Sequence, residues 1–158
     1  EQNLRKEAVR RHIDPNRLVF AERAPQALHL ARHCHADLFL DTFVYNAHTT
    51  ASDALWAGLP LVTVAGKGFA SRVAASLLRA CGLAELVTES PEQYEQLAHA
   101  LATDPQTLAQ LRARLAAARR SAPLFRTEGF VRQLERGFDE AGRRSCEGDA
   151  RDILVPER

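Results

Sequence analysis

The sequence predicts an α/β fold: a Rossmann-like layer, a parallel sheet flanked by helices, followed by C-terminal helices. Three observations lead there. Short apolar runs at Arg17–Ala21 (RLVFA), Asp37–Asp41 (DLFLD) and Pro60–Val64 (PLVTV) alternate with segments of helical periodicity. The connections between them are long enough for the crossovers that parallel pairing needs. From Ser90 onward the apolar residues recur only at helical spacing.

Taken in order, residues 4–13 put Leu4, Ala8, Val9 and Ile13 on one side of a helix that Pro15 and Asn16 end. No capping residue precedes it, as expected of a segment cut from a longer polypeptide. RLVFA is the first strand. Pro25 suits a helix start, where its missing N–H costs nothing. That helix is expected to run to about Cys34, with Leu28, Ala31 and Cys34 facing inward. DLFLD is the second strand, and the loop TFVYNA leads to His48 and a helix that stops at Gly58. PLVTV is continuously apolar, as a strand buried on both faces should be. After the AGKG loop a helix is expected over Phe69–Ala80, then a fourth short strand at Ala84–Val87.

Ser90-Pro91-Glu92-Gln93 fits a capping box with Pro at the first helical position, followed by Tyr94, Leu97, Ala98 and Leu101. Asp104-Pro105 starts a helix with Leu108, Leu111 and Leu115 on one face. Thr127 is expected to cap a last helix carrying Phe130, Leu134 and Phe138. The Rossmann-like layer thus spans about 14–88 and the C-terminal helices about 90–141, forming one lobe over 1–141. Residues 142–158 read as an irregular tail.

Composition narrows the function. A 46% hydrophobic and 26% charged chain of 158 residues is ordinary for a soluble domain. Its 21 basic and 20 acidic residues nearly cancel, without a basic stripe interleaved with aromatics, so nucleic acid is not expected as a partner. No apolar run approaches the ~20 residues that span a bilayer, and the opening EQNLRKEAVRRHI lacks a signal-peptide core. No membrane partner is expected, and a cytoplasmic protein is. Cys34 and Cys81 lie in apolar helical surroundings and read as reduced core thiols.

Ligands of open parallel sheets bind beyond the carboxyl ends of the strands. After RLVFA come Ala24, Pro25 and then His29 and Arg32. After DLFLD come His48, Thr49 and Thr50, with Asp53 one turn on. The first N–H groups of a helix lack intrahelical partners and carry the positive end of its dipole, so a diphosphate can accept from them. Threonine hydroxyls add donors, His48 can add one more as charge builds on a leaving phosphate, and Asp53 can accept from ribose hydroxyls. The competing explanation is plain: a Thr pair before a helix is most often an N-cap, and spacing alone favours that. His29, His33, Cys34 and His35 raise the thought of a metal. His29 and His33 have zinc-ligand spacing, but no Glu follows His29, Cys34 points elsewhere, and no metal site is expected. The AGKG loop lacks P-loop spacing.

The stretch LDTFVYNAHTTASDALWAGLPLVTVAGKGFASRVAASLL resembles the C-terminal catalytic lobe of O-linked N-acetylglucosamine transferases, glycosyltransferase family 41. NRLVFAERAPQALHLAR and SAPLFRTEGF resemble the same lobe, so the similarity covers roughly residues 5–140. The resemblance implies a GT-B architecture of two facing Rossmann-like lobes, this one holding UDP-N-acetylglucosamine. It implies a backbone contact from Ala24 to the uracil edge, His29 against the uracil ring and Arg32 near the base. His48, Thr49 and Thr50 match the diphosphate-binding trio, with His48 able to stabilise the leaving group, and Asp53 matches the acid holding the ribose hydroxyls. Transfer to Ser or Thr hydroxyls of a protein acceptor, with inversion and with no metal or cofactor, is what the family does. Gln26 departs from the lysine some members have near the nucleoside. The N-terminal lobe with its active-site histidine, the helical repeats and an upstream diphosphate-contacting lysine lie outside this chain, so no certain catalytic residue is in it. Two alternatives stand: a GDP-fucose-dependent transferase of Spindly type, which tends to have threonine where His48 stands, and a non-catalytic nucleotide-binding module.

Overall fold

Three parallel strands carry the layer, in the order in which the chain makes them. β1 (Phe39–Leu40) pairs with β2 (Leu61–Val64), setting Phe39 opposite Leu61 and Leu40 opposite Val62. β2 pairs on its other edge with β3 (Val87–Thr88), Thr63 opposite Val87 and Val64 opposite Thr88. The structure, a computed structural model, describes residues 1–149 and 151–155, and divides into two compact units, Glu1–Ala31 and Arg32–Arg158.

The first unit holds α1 (Gln2–Arg10), a 3-10 turn at Pro15–Arg17 and α2 (Gln26–Ala31). Asp14 starts the turn by accepting the Asn16 N–H at 2.9 Å. Arg5 joins helix to turn, its Nη1 donating to the Pro15 carbonyl at 2.7 Å while its guanidinium lies 5.1 Å from the Phe20 ring centroid. The strand expected at Arg17–Ala21 does not form: Leu18 is extended, but nothing pairs with the segment and Val19 is 89% exposed. An apolar β-branched run becomes a strand only where a ladder receives it. Leu28, at 62% exposure, does not face inward, and Ala31 and Cys34 are exposed as well. α2 has only six residues and gives way to a 3-10 turn at Arg32–His35, whose tighter winding rotates Cys34 off the face expected of a continuous helix.

In the second unit α3 (Thr49–Ala57) connects β1 to β2 and ends as read from sequence, at Gly58 with φ +87°. The left-handed turn lets the Leu59 N–H reach the Ala54 carbonyl at 2.8 Å. α4 (Val73–Ala80) connects β2 to β3; the helix expected from Phe69 begins with a separate 3-10 turn at Phe69–Ser71. Ala84–Leu86 is likewise a 3-10 turn, and the last strand starts only at Val87. α5 (Pro91–Thr103) is capped by the Ser90 hydroxyl, which accepts the Gln93 N–H, and α6 (Pro105–Ser121) by Asp104, which accepts from Gln106 and Thr107. α7 (Thr127–Cys146) departs from expectation at both ends. Arg126 stands at its N-cap after a 3-10 turn at Pro123–Phe125, so Thr127 is a helical residue rather than a cap. The helix also runs past position 142, into the stretch expected to be irregular. Residues 151–155 have no regular structure, and the expectation for 150 and 156–158 falls outside the described residues.

The core sits around β2. Leu61, Val62 and Thr63 point to alternate faces and all are fully buried, so both faces are covered. α3 and α4 pack on β2 and on each other, α5 packs on β2, and α6 packs on α5. Leu55, Leu78, Leu83, Leu86, Leu101, Leu111 and Leu115 fill the space between them, with Cys81 buried among them as expected. Arg112 ties α6 to the start of β1, donating to the Ala36 carbonyl at 2.6 Å and to the Asp37 carboxylate at 3.1 Å. Leu55 is fully buried in this cluster. Leu55→Ala should therefore cost about 2–5 kcal/mol, read in denaturant titration as a lower midpoint at unchanged slope.

Candidate functional site

One buried side chain organises the carboxyl end of β1. Asp41, 3% exposed, donates its N–H to the Val62 carbonyl at 3.1 Å and so extends the pairing of β1 with β2. Its Oδ1 accepts the N–H groups of Thr42 (2.8 Å) and Ala47 (2.7 Å), and its Oδ2 accepts the Thr63 hydroxyl at 2.6 Å. The Tyr94 hydroxyl of α5 donates to the Asp41 carbonyl at 3.0 Å. The carboxyl group thus closes the loop between Asp41 and Ala47 on itself and fastens it to β2.

Within the loop, the Thr42 hydroxyl donates to the Tyr45 carbonyl at 2.7 Å and Asn46 Nδ2 to the Thr42 carbonyl at 3.0 Å. Val44 at the tip has φ +69°, a left-handed conformation strained for a β-branched residue. The loop delivers His48 to the N-cap of α3, with φ −104° and ψ −90°, and no side chain caps the helix. Thr49 and Thr50 are its first two helical residues and are exposed. The N-cap explanation for the threonine pair therefore fails. Among the described residues no N-cap side chain accepts from the first-turn N–H groups, and the two threonines are exposed within that turn. Asp53, half-buried, lies one turn along on the same face as Thr49 and Thr50.

The His48 ring stacks on Tyr45 (centroids 4.9 Å apart, 15° between planes) and meets Phe69 edge to face at 6.0 Å. Its Nε2 lies 3.2 Å from the Ala70 carbonyl, which also accepts the Asn46 N–H at 2.9 Å. The second loop, Ala65–Arg72, is therefore part of the site. Its turn is closed by the Gly66 N–H donating to the Ser71 carbonyl at 2.8 Å.

The sequence-derived residues fall into two groups. His48, Thr49, Thr50 and Asp53 gather at one helix end. Arg32 opens the 3-10 turn that packs on α3 in the same unit. Ala24, just before α2, and His29, on α2, belong to the first unit. Asp41, Tyr45, Asn46, Phe69 and Ala70 were not singled out from sequence. Only Asp41 left a signal, an acid ending an apolar strand. Among the described residues no three His, Cys, Asp or Glu side chains are grouped as a metal ion would require.

Comparison with known proteins now decides the family. The sequence model of Glycosyl transferase family 41 matches residues 1–134. The chain belongs to this family. It is 42% identical over 135 residues to the UDP-N-acetylglucosamine--peptide N-acetylglucosaminyltransferase of Caenorhabditis elegans, covering 85% of this chain and 12% of that protein. It is 37% identical over 149 residues to the probable UDP-N-acetylglucosamine--peptide N-acetylglucosaminyltransferase SEC of Arabidopsis thaliana, covering 94% of this chain and 15% of the relative. A mutant O-GlcNAc transferase from Thermobaculum terrenum superposes with a TM-score of 0.87 at 34% identity, over 93% of this chain and 28% of that one. The fold is thus that of the Rossmann-like lobe of a GT-B glycosyltransferase, and the chain spans a small part of the length of these relatives. Glycosyl transferase family 41 members are enzymes.

The loop anchor carries an alkaline signature. Burial, with the neighbouring Asp41 charge, pushes the Tyr94 hydroxyl from its ordinary 10.0 up to about 12. Burial pushes the Cys81 thiol from 9.0 up to about 11. Both groups hold their protons more tightly folded than unfolded, so the native state binds more protons in this range and stability falls as pH rises. The melting temperature should decline between about pH 9 and 12. Tyr94→Phe should flatten the upper part of that decline while lowering stability at neutral pH, where the bond to Asp41 is lost. A wild-type melting temperature unchanged across this range would contradict the assignment.

Proposed function

We propose that this chain is the donor-binding lobe of an enzyme transferring N-acetylglucosamine from UDP-N-acetylglucosamine to Ser and Thr hydroxyls of proteins. The observation that carries the reading is the uncapped N-terminus of α3 with His48 at its N-cap. A diphosphate seated there accepts hydrogen bonds from the first-turn N–H groups and from the Thr49 and Thr50 hydroxyls. Asp53, one turn on, accepts from the ribose hydroxyls, while Ala24, His29 and Arg32 serve the nucleoside. The names of the relatives point to the same donor.

The acceptor hydroxyl oxygen bonds to the anomeric carbon as the bond to the diphosphate breaks, inverting that carbon; the hydroxyl proton leaves to solvent or to a base of the larger protein, and UDP departs carrying the negative charge. His48 donates to the leaving phosphate as that charge grows, and the helix end stabilises it without rearrangement. In this reading fixed donors take the place a metal ion holds in other phosphate sites, and no cofactor takes part. The acceptor protein, the facing N-terminal lobe and the helical repeats belong to the larger protein. No helix among the described residues is long and apolar enough to cross a membrane, and the reading takes the acceptors to be cytoplasmic.

Calorimetric titration of the full-length protein with UDP and GDP, with and without a chelator, tests this. UDP should bind preferentially, chelator should not matter, and His48→Ala should weaken UDP by ~10-fold or more, the loss of a charge-assisted hydrogen bond. Unchanged affinity in His48→Ala would refute the role given to the ring. A preference for GDP would favour a fucosyl donor, and no heat with either nucleotide a non-catalytic module.

A further inference from the structure

We infer that the Gly66–Ser71 turn is a positioning device for His48, presenting the Ala70 carbonyl as the acceptor that fixes the ring's orientation. The inference rests on the diphosphate reading of the α3 end. A carbonyl oxygen only accepts, so at 3.2 Å the Nε2 atom of His48 must carry the hydrogen. Nδ1 is then the ring nitrogen left for the donor. In the imidazolium form both nitrogens donate, Nε2 to Ala70 and Nδ1 toward a phosphate oxygen. Tyr45 covers one face of the ring and Phe69 meets it edge-on, so the orientation is held on more than one side.

The Ala70 carbonyl is itself placed by its neighbours. It belongs to the peptide joining Ala70 to Ser71, and Ser71 is held twice. Its carbonyl accepts the Gly66 N–H at 2.8 Å, and its hydroxyl donates to the Gly68 carbonyl at 2.9 Å. Ser71 is buried and packs directly onto the open side of Gly66. A Cβ at Gly66 would lie 2.3 Å from Ser71 Oγ and 2.5 Å from Ser71 Cβ, closer than such atoms can approach. Relief has to part Gly66 from Ser71, whose backbones are hydrogen-bonded to each other, and so disturbs the Ala70 carbonyl and the His48 ring against it. Gly68 has no such constraint, since a Cβ there meets nothing nearer than Ser71 Oγ at 3.9 Å.

The test is calorimetric titration of UDP into the full-length protein and its variants. Gly66→Ala should weaken UDP by about 3- to 10-fold, the range that coupled neighbours reach. In a Ser71→Gly background both clashing atoms are gone, along with the hydroxyl bond to Gly68, so Gly66→Ala should change affinity by less than ~2-fold relative to Ser71→Gly alone, while Gly68→Ala should leave it within ~2-fold of wild type. In a His48→Ala background, Gly66→Ala should change affinity by less than ~2-fold, because its effect passes through the ring. A merely structural role would give the same loss in both backgrounds, and that result overturns the proposal. So does an equal loss from Gly66→Ala in the Ser71→Gly background. Should Gly66→Ala not fold, the Gly66→Ala/Ser71→Gly pair decides: UDP affinity matching that of Ser71→Gly alone supports the proposal and weaker binding overturns it. If His48→Ala leaves UDP affinity unchanged, the diphosphate reading falls and this inference with it. If His48→Ala weakens binding but the two substitutions are independent, only the positioning falls.

Discussion

The structure of the second unit depends on a carboxyl group buried where the sheet meets its loops. Asp41 accepts from two backbone N–H groups of its own loop and from the Thr63 hydroxyl of β2, and its carbonyl accepts from Tyr94 of α5. Such a group is costly to bury unless its hydrogen bonds are complete. Completing them requires β1, β2, the loop and α5 to be in register together. The loop ends at the first residue before α3, so the same bonds decide where that helix begins and which way its N-terminus points. Sheet register and site geometry are therefore one constraint.

The parts of the fold legible in the sequence are those decided locally or by burial on every side. PLVTV reads as a strand because all of it is apolar, and the structure buries Leu61, Val62 and Thr63 completely. Ser90-Pro91 and Asp104-Pro105 read as helix starts because a cap acts within three residues, and both side chains accept the expected N–H groups. RLVFA misleads because nothing in a run of apolar residues says whether a neighbouring strand will receive it. Thr127 misleads for the opposite reason. A 3-10 turn placed one residue earlier moves the cap to Arg126, and turn type is weakly written in composition.

At the site, dipole logic finds the helix end but leaves the threonines' job open between capping and ligand binding. The structure removes the capping role by a single residue of phase, placing His48 rather than Thr49 at the N-cap. Thr49 and Thr50 then lie inside the first turn as exposed residues. The roles proposed for Ala24, His29 and Arg32 were legible only through family resemblance, because a helical stretch carrying His and Arg is commonplace in sequence. The bond from His48 to Ala70 spans 22 residues. No periodicity encodes a contact of that kind, which arises because two strand-end loops converge.

That convergence explains the strain stored nearby. Val44 with a positive φ costs on the order of 1–3 kcal/mol, and such a conformation persists only where its surroundings over-determine it. Here the surroundings are the bonds from Thr42 to Tyr45 and from Asn46 back to Thr42, which turn the loop sharply enough to lay Tyr45 over the His48 ring. The ring is consequently fixed from three directions: Tyr45 on a face, Phe69 edge-on, and the Ala70 carbonyl at Nε2. Helix N–H groups are rigid donors by construction, whereas an imidazole on a side chain is not. Joining the two into one anion site works only if the ring gives up its rotameric freedom before the ligand arrives, so that binding does not have to impose that order. The strained tip, the crowded glycine turn and the buried aspartate all act to that end. They make a flexible side chain behave like part of the backbone.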